Sequence, residues 1–481
     1  MEHFDVLIVG AGISGIGAGH ALQRHCVGKR YAILEARESI GGTWDLFRYP
    51  GVRSDTDMYT LGYSFQPWTE NESMADGASI LQYVRDTARE HGIDHHVRHG
   101  CRVRSAAWSS EHARWTLLVD AADTATPQHF SCNFLYLCGG YYDYAQGFAP
   151  DFAGREDFAG QVIHPQFWPE GLDYRGKQVV VVGSGATAMT IVPAMSDQAA
   201  HVTMLQRSPT YVASLPSRDG LALALFRWLP ARWAHKLARV KSVAFAALFF
   251  QLCRRAPKVA MKLLRAGVAR ELPKGYAVDI HFKPDYKPWD QRVCFTRNAD
   301  LFKAISAGRA SIITDTIDRF VPDGLQLASG QHLKADIVVT ATGLRLMPCA
   351  GLSLTVDGQP VDLGKTFAYQ GLMLSGVPNL AFCVGYTNNS WTLRADLATR
   401  YVTRLIKHMD RLGHRICVAN CDASSMVPEP LIGLQSSYVL RAVDGFPKQG
   451  PTAPWRMVQN YYIDLLNMRV RPVADKHLAF S

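Results

Sequence analysis

Two glycine-rich turns carry the first chemical information in this chain. Gly10-Ala11-Gly12-Ile13-Ser14-Gly15 follows the apolar run at residues 5–10 (DVLIVG) and opens a helix-like stretch. In that setting the first glycine makes the tight turn, the second lets backbone approach a pyrophosphate and the third permits close helix packing. The helix N-terminus then offers free N–H groups to the phosphates. Glu35 ends the next apolar run and is placed to accept from ribose hydroxyls. An acid there repels a 2′-phosphate, so this site is expected to take FAD or NAD rather than NADP. The second turn, Gly183-Ser184-Gly185-Ala186-Thr187-Ala188, has alanine as its third small residue, and the run after it ends Gln206-Arg207-Ser208 with a guanidinium and no acid. Arg207 can bind a phosphate bidentately, which makes the second site NADP-selective. Two such sites in one chain point to a flavoprotein fed by NADPH and leave reductases and monooxygenases open. The ten cysteines contain no C-x-x-C pair, which argues against disulfide reductases, zinc ribbons and disulfide scaffolds.

The elements that must position these residues are legible as short buried strands. Runs 5–10, 178–183 (QVVVVG) and 336–343 (DIVVTATG) are continuously apolar and end in glycine, the pattern of parallel strands covered on both faces. Each of the first two is followed by a helix-like stretch and, some 20 residues on, by another strand, at 31–35 and 202–206. Two βαβ units in an α/β chain follow. A further run at 134–140 ends in a glycine pair, and 143–157 reads as a linker. The expected organisation is two Rossmann-like domains: FAD-binding at 1–145, NADP-binding at 146–334 with a helical insertion at about 210–280, and a return to the FAD-binding domain over 335–481.

The chain has 481 residues, 48% hydrophobic and 19% charged, so disorder and single small domains are excluded. Its net charge of +9 is concentrated: residues 221–270 hold eleven Lys or Arg and no Asp or Glu, and the remainder is close to neutral. No nucleic-acid partner is therefore expected. A helical lid over the active site is the first reading of this basic stretch, and contact with an anionic membrane surface is the second. Glu2 and Asp5 occupy positions where an export signal would carry Lys or Arg, so a cytoplasmic location is expected.

Between the two glycine turns lies Phe158-Ala159-Gly160-Gln161-Val162-Ile163-His164-Pro165-Gln166-Phe167-Trp168-Pro169. It matches F-x-G-x-x-x-H-x-x-x-W-P at Phe158, Gly160, His164, Trp168 and Pro169, and so resembles the fingerprint of Baeyer–Villiger monooxygenases. Gly41-Gly42-Thr43-Trp44-Asp45-Leu46, residues 48–55 (RYPGVRSD), 289–292 (WDQR) and Ser390-Trp391-Thr392-Leu393 extend the likeness, most closely to the ethionamide-activating subgroup. The resemblance implies conversion of ketones to esters or lactones with NADPH and O2 through a C4a-peroxyflavin, and oxidation of sulfides or thioamides besides. It implies FAD contacts at Gly10, Gly12, Ser14, Gly15, Glu35, Gly42, Thr43, Trp44, Asp45, Leu46, Asp55 and Val103. NADP contacts are implied at Arg53, Ser54, Asp55, Gly183–Ala188, Arg207 and Ser208.

Arg292 matches the family's active-site arginine, and Asp55 is expected to hold it in place. A guanidinium that never deprotonates suits the stabilisation of an oxyanion. Gln291 stands where many members carry a lysine that helps hold the 2′-phosphate, so NADPH preference is expected to rest on Arg207. His164 reads as a hinge residue without proton transfer, and Tyr386 and Trp391 as pocket walls or core aromatics. No metal site is expected. The alternatives are a flavin-containing or N-hydroxylating monooxygenase that acts on soft nitrogen or sulfur, and a redox-sensing flavin protein.

Overall fold

A computed structural model describes residues 1–122, 124 and 126–481. The strand Glu2–Val9 lies at the centre of a nine-stranded sheet, parallel to Tyr31–Leu34 on one side and to Gln128–Leu137 on the other. Its last four residues are buried, as continuous apolarity requires when both faces are covered. Gln128–Leu137 continues into an antiparallel meander with Arg114–Ala121 and Cys101–Ser109, and the late strand Leu380–Phe382 pairs parallel to its far end. The helix Ile13–His25 begins directly at the first glycine turn and carries Arg24 and His25 in its last turn, where the dipole favours positive charge. Against it packs Trp391–Leu412, whose Leu393, Leu397, Tyr401 and Leu405 recur every four residues on a buried face. Full burial of such side chains contributes about 1.5–3 kcal/mol each. Gly413, at φ 72°, ends that helix in the left-handed conformation.

The second sheet is wholly parallel, in the order Ala310–Thr314, His201–Gln206, Gln178–Val182, Ile337–Thr340, Gln161–Ile163. This order corrects the expected return at residue 335. Ile337–Thr340 is buried between two strands of the second domain, so the chain rejoins the first domain only after it. Nor is 143–157 a loop throughout. Tyr142–Gly147 is a strand and pairs antiparallel with Leu344–Leu346, so the outgoing and returning connections between domains run side by side.

The insertion consists of Gly220–Trp228, Ala231–Arg255 and Pro257–Glu271, framed by a parallel pair of strands, Val212–Leu215 and Cys294–Arg297. None of its helices supplies a side chain to the lining of the cavity described below. Among the described residues no helix is long and apolar enough to cross a membrane. Nine of the ten cysteines are buried.

Candidate active site

A cavity of about 840 Å³ runs from the first glycine turn to the junction of the two domains. At one end Gly10 adopts φ +98°, and a Cβ there would lie 2.8 Å from the Cα of Gly139, so only glycine makes this turn. The helix behind it has no side-chain cap, which leaves its first N–H groups free for an anionic group. Glu35, at the end of Tyr31–Leu34, accepts from the backbone N–H of Ala11 at 2.6 Å and of Arg37 at 2.9 Å. Burial raises its pKa, against the pull of those two hydrogen bonds. Trp391 Nε1 donates to Ser14 Oγ at 2.7 Å and ties the start of the helix Trp391–Leu412 to the glycine turn. A glycine cradle, an uncapped helix and a carboxylate at the strand end fit the pyrophosphate and ribose of FAD.

The second turn repeats the device. Gly183 lies at φ +136°, with a Cβ position 2.3 Å from the Ala341 carbonyl oxygen, and the helix Ala186–Met195 starts without a side-chain cap. Nothing stands within 4 Å of the Cβ position of Gly185, so the backbone is open to close approach. Arg207 and Ser208 are exposed at the end of the neighbouring strand, and Ser184 Oγ donates to the Ser208 carbonyl at 3.3 Å. Arg207 enters no ion pair among the described residues, which suits a group awaiting a phosphate.

Between the two turns Arg292 and Asp55 face each other across the cavity wall, Nε to Oδ2 at 3.7 Å. Their side chains are 33% and 25% exposed, so both reach the open space while the protein screens them from bulk water. The Asp55 carboxylate raises the pKa of Arg292, outweighing the burial that opposes its charge. Tyr141, Tyr142 and Tyr438 surround the guanidinium electrostatically, and burial pushes Tyr438 up to about 12. Arg53, nearby in the wall, donates to Asp300 at 2.5 Å, yet its Nε and Nη2 are buried without a partner among the described residues. Buried guanidinium N–H groups without acceptors are costly unless a ligand supplies them.

The flavin-binding monooxygenase-like family matches residues 4–247, half of the chain. The FAD-containing monooxygenase EthA of Mycobacterium tuberculosis is 51% identical over 481 residues, covering all of this chain and 98% of its own. The chain belongs to the flavin-binding monooxygenase-like family. Two solved structures share its fold: an oxidised steroid monooxygenase bound to NADP (TM-score 0.78, 20% identity, 99% of each chain) and an open cyclohexanone monooxygenase (TM-score 0.77, 18% identity, all of each chain). Both support the two-dinucleotide-domain architecture of this flavin monooxygenase.

Within the monooxygenase the cavity gathers most of the residues expected around FAD: Gly10, Gly12, Ser14, Glu35, Gly42, Thr43, Trp44, Asp55 and Val103. Arg53, Ser54, Ala186 and Thr187 join them from the NADP set, whereas Gly183–Gly185, Ala188, Arg207 and Ser208 lie beyond the cavity wall. Gly15, Asp45 and Leu46 also stand behind it. Asp45 is buried and accepts from Arg37 at 2.6 Å and Arg85 at 3.0 Å. Burial opposes its ionisation, but the hydrogen bond from Arg37 and the surrounding arginines hold its carboxyl below the usual range. These contacts brace the loop behind the cavity wall.

Of the fingerprint, Phe158 packs edge-on against Phe320, Gly160 is pressed against the Asp336 carbonyl, and Trp168 packs at the rim of the second core while Pro169 is exposed. The His164 ring lies on Gly147 and hydrogen-bonds the Gly343 carbonyl at 3.3 Å, so it touches both connections between the domains. Burial lowers its pKa, against the hydrogen bonds to the Gly343 and Phe148 carbonyls. Tyr386 and Trp391 both line the cavity.

Sequence reasoning missed the tyrosines around Arg292 and the pair that anchors Tyr386. Arg394 is 1% exposed, donates to Asp464 at 2.5 Å, and stands over the Tyr386 ring, whose hydroxyl donates to the same carboxylate at 2.7 Å. An arginine on the apolar face of a periodic helix was the available signal.

Proposed function

We propose that this enzyme is an NADPH- and O2-dependent, FAD-containing Baeyer–Villiger monooxygenase that converts ketones to esters or lactones and also oxidises sulfides or thioamides. The observation that carries the reading is the Arg292–Asp55 pair turned into a cavity that both nucleotide turns reach. FAD reduced by NADPH supplies, with O2, the oxidising equivalent. The protein's own part is electrostatic and positional. Gly10, Gly12 and the free N–H groups of Ile13–His25 hold the FAD pyrophosphate, and Glu35 accepts from its ribose. Gly183, Gly185 and the helix Ala186–Met195 hold the NADP pyrophosphate, while Arg207 and Ser208 take the 2′-phosphate. Arg292 presents a permanent positive charge to the oxygen that becomes negative as the ketone is attacked, and Asp55 keeps that charge aimed. Tyr142, Tyr386 and Trp391 exclude water from the same space.

The test is turnover of the purified enzyme with NADPH, O2 and either a simple methyl ketone or an alkyl aryl sulfide. Ester from the ketone and sulfoxide from the sulfide are expected, each in proportion to NADPH consumed. Sulfoxide without ester would replace the reading with oxidation of soft nitrogen and sulfur alone. NADPH consumption without any oxygenated product would overturn the oxygenase itself. Arg207→Ala is expected to raise the KM for NADPH roughly ten- to a hundredfold, about 1.5–3 kcal/mol for charged hydrogen bonds, with kinetics on NADH unchanged. A steady-state NADPH/NADH preference equal to that of the parent would remove Arg207 from the site.

A further inference from the structure

The basic insertion takes no part in the chemistry above, and its outer surface has a pattern of its own. Along Ala231–Arg255 the side chains Trp233, Leu237, Val240 and Leu248 are exposed at spacings of four, three and eight residues, which places them on one face of the helix. On the opposite face Ala234, Ala238 and Ser242 are buried against the protein, while Phe245 beyond them is 62% exposed. Leu221 and Trp228 of the preceding helix and Val259 and Leu263 of the following one are exposed as well, Trp228 by 79%. An uncovered apolar ridge of this length is not what a solvated helix needs.

The charges beside the ridge decide what it fits. Of the eleven cations, Arg239 is buried, and Lys241, Arg254 and Arg265 are paired with Asp219, Asp290 and Asp279. Arg227, Arg232, Lys236, Arg255, Lys258, Lys262 and Arg270 are exposed and enter no ion pair among the described residues. Arg227 stands 5.8 Å from the Trp228 ring and Lys236 5.2 Å from the Trp233 ring. Indoles and aliphatic side chains beside cations, on helices too short or too polar to span a bilayer, form the pattern of a surface lying at a lipid interface. A second copy is a poor occupant, because each copy of this face brings the same unpaired cations and the rest of the chain is close to neutral.

We propose that the outer face of the Gly220–Glu271 insertion docks this enzyme on an anionic lipid surface, with Trp228 and Trp233 inserted among the headgroups and the surrounding Lys and Arg paired with lipid phosphates. On its inner side the same helix packs Val243 against Tyr386, a residue of the cavity wall. The proposal is independent of the oxygenation chemistry.

The test is flotation of the full-length flavoprotein with vesicles of phosphatidylglycerol and phosphatidylcholine, and with phosphatidylcholine alone, at low and high salt. Flotation is expected with the anionic vesicles at low salt, and loss with neutral vesicles or added salt. The double variant Trp228→Ser/Trp233→Ser is expected to lower partitioning by about tenfold or more, and Lys258→Glu/Lys262→Glu by a similar factor, with NADPH turnover unchanged in both. Protein that stays at the bottom at low salt overturns the proposal. Flotation that both variants retain overturns it too, since another surface would be responsible. Sedimentation that shows a Trp233-dependent dimer and no flotation would assign the ridge to a second copy instead.

Discussion

Arg292→Ala is expected to lower ester formation from ketones by on the order of 10²–10³-fold, the range for removal of one group that stabilises a developing oxyanion. Flavin reduction by NADPH should stay within a few fold of the parent, because the glycine turns and Arg207 proposed to hold the nucleotides are untouched. Sulfide oxidation places no negative oxygen on the substrate and should fall far less. Arg292→Lys keeps the charge but not the planar fork that faces Asp55 at 3.7 Å, so partial recovery is expected. Rapid-reaction reduction and product analysis with both substrate types check these outcomes. Ester formation unchanged in Arg292→Ala would end the role given to this residue.

Arg394→Met is expected to cost about 3–5 kcal/mol of stability, since it leaves the Asp464 carboxylate buried without its cation. Burial already raises the pKa of Asp464, and Arg394 opposes that rise. Without the arginine the folded-state pKa moves higher still, while the unfolded value stays at the ordinary carboxylate level. A carboxyl whose folded pKa is raised loses stability as pH climbs above its unfolded pKa. The deficit should therefore be full near neutral pH and shrink as pH falls toward the usual carboxylate range, where the buried group is protonated. Urea unfolding across that interval measures it. Asp464→Asn in the same chain should recover much of the loss, as replacement of both charges does elsewhere. A deficit that did not change with pH would place the defect in packing rather than in the stranded charge.

The glycine turns, the βαβ units and the helical insertion were legible because each is written locally. Val179–Val181 and Val6–Val9 are apolar without alternation, and a glycine ends each strand where the backbone must turn. Sheet membership is different. Residues 337–340 would suit either domain by composition, and only pairing with Val179–Val182 and Gln161–Ile163 settles it. The site divides in the same way. Glu35, Arg292 and Asp55 could be named because a motif surrounds each of them. Tyr438 and Asp464 arrive from the far end of the chain through tertiary packing, and no local pattern marks them. Asp45 sits inside a recognisable motif, yet its neighbours Arg37 and Arg85 give it a bracing part that the motif alone does not reveal.

The paired connections between the domains bear on how the chain assembles. Gly147 and Leu344 are ladder partners, so roughly 200 residues of the second domain leave and rejoin the first at adjacent points. In the unfolded chain those residues form one long loop that the first domain must close before Leu380–Phe382 can pair with Leu135–Leu137. If the second domain folds beforehand, it holds both ends together and shortens the effective loop to a few residues. With closure entropy growing as the logarithm of loop length, that early step spares about 3 kcal/mol of ordering. Prior folding of the inserted domain would thus bring Leu380–Phe382 to the larger sheet at little further cost in loop closure.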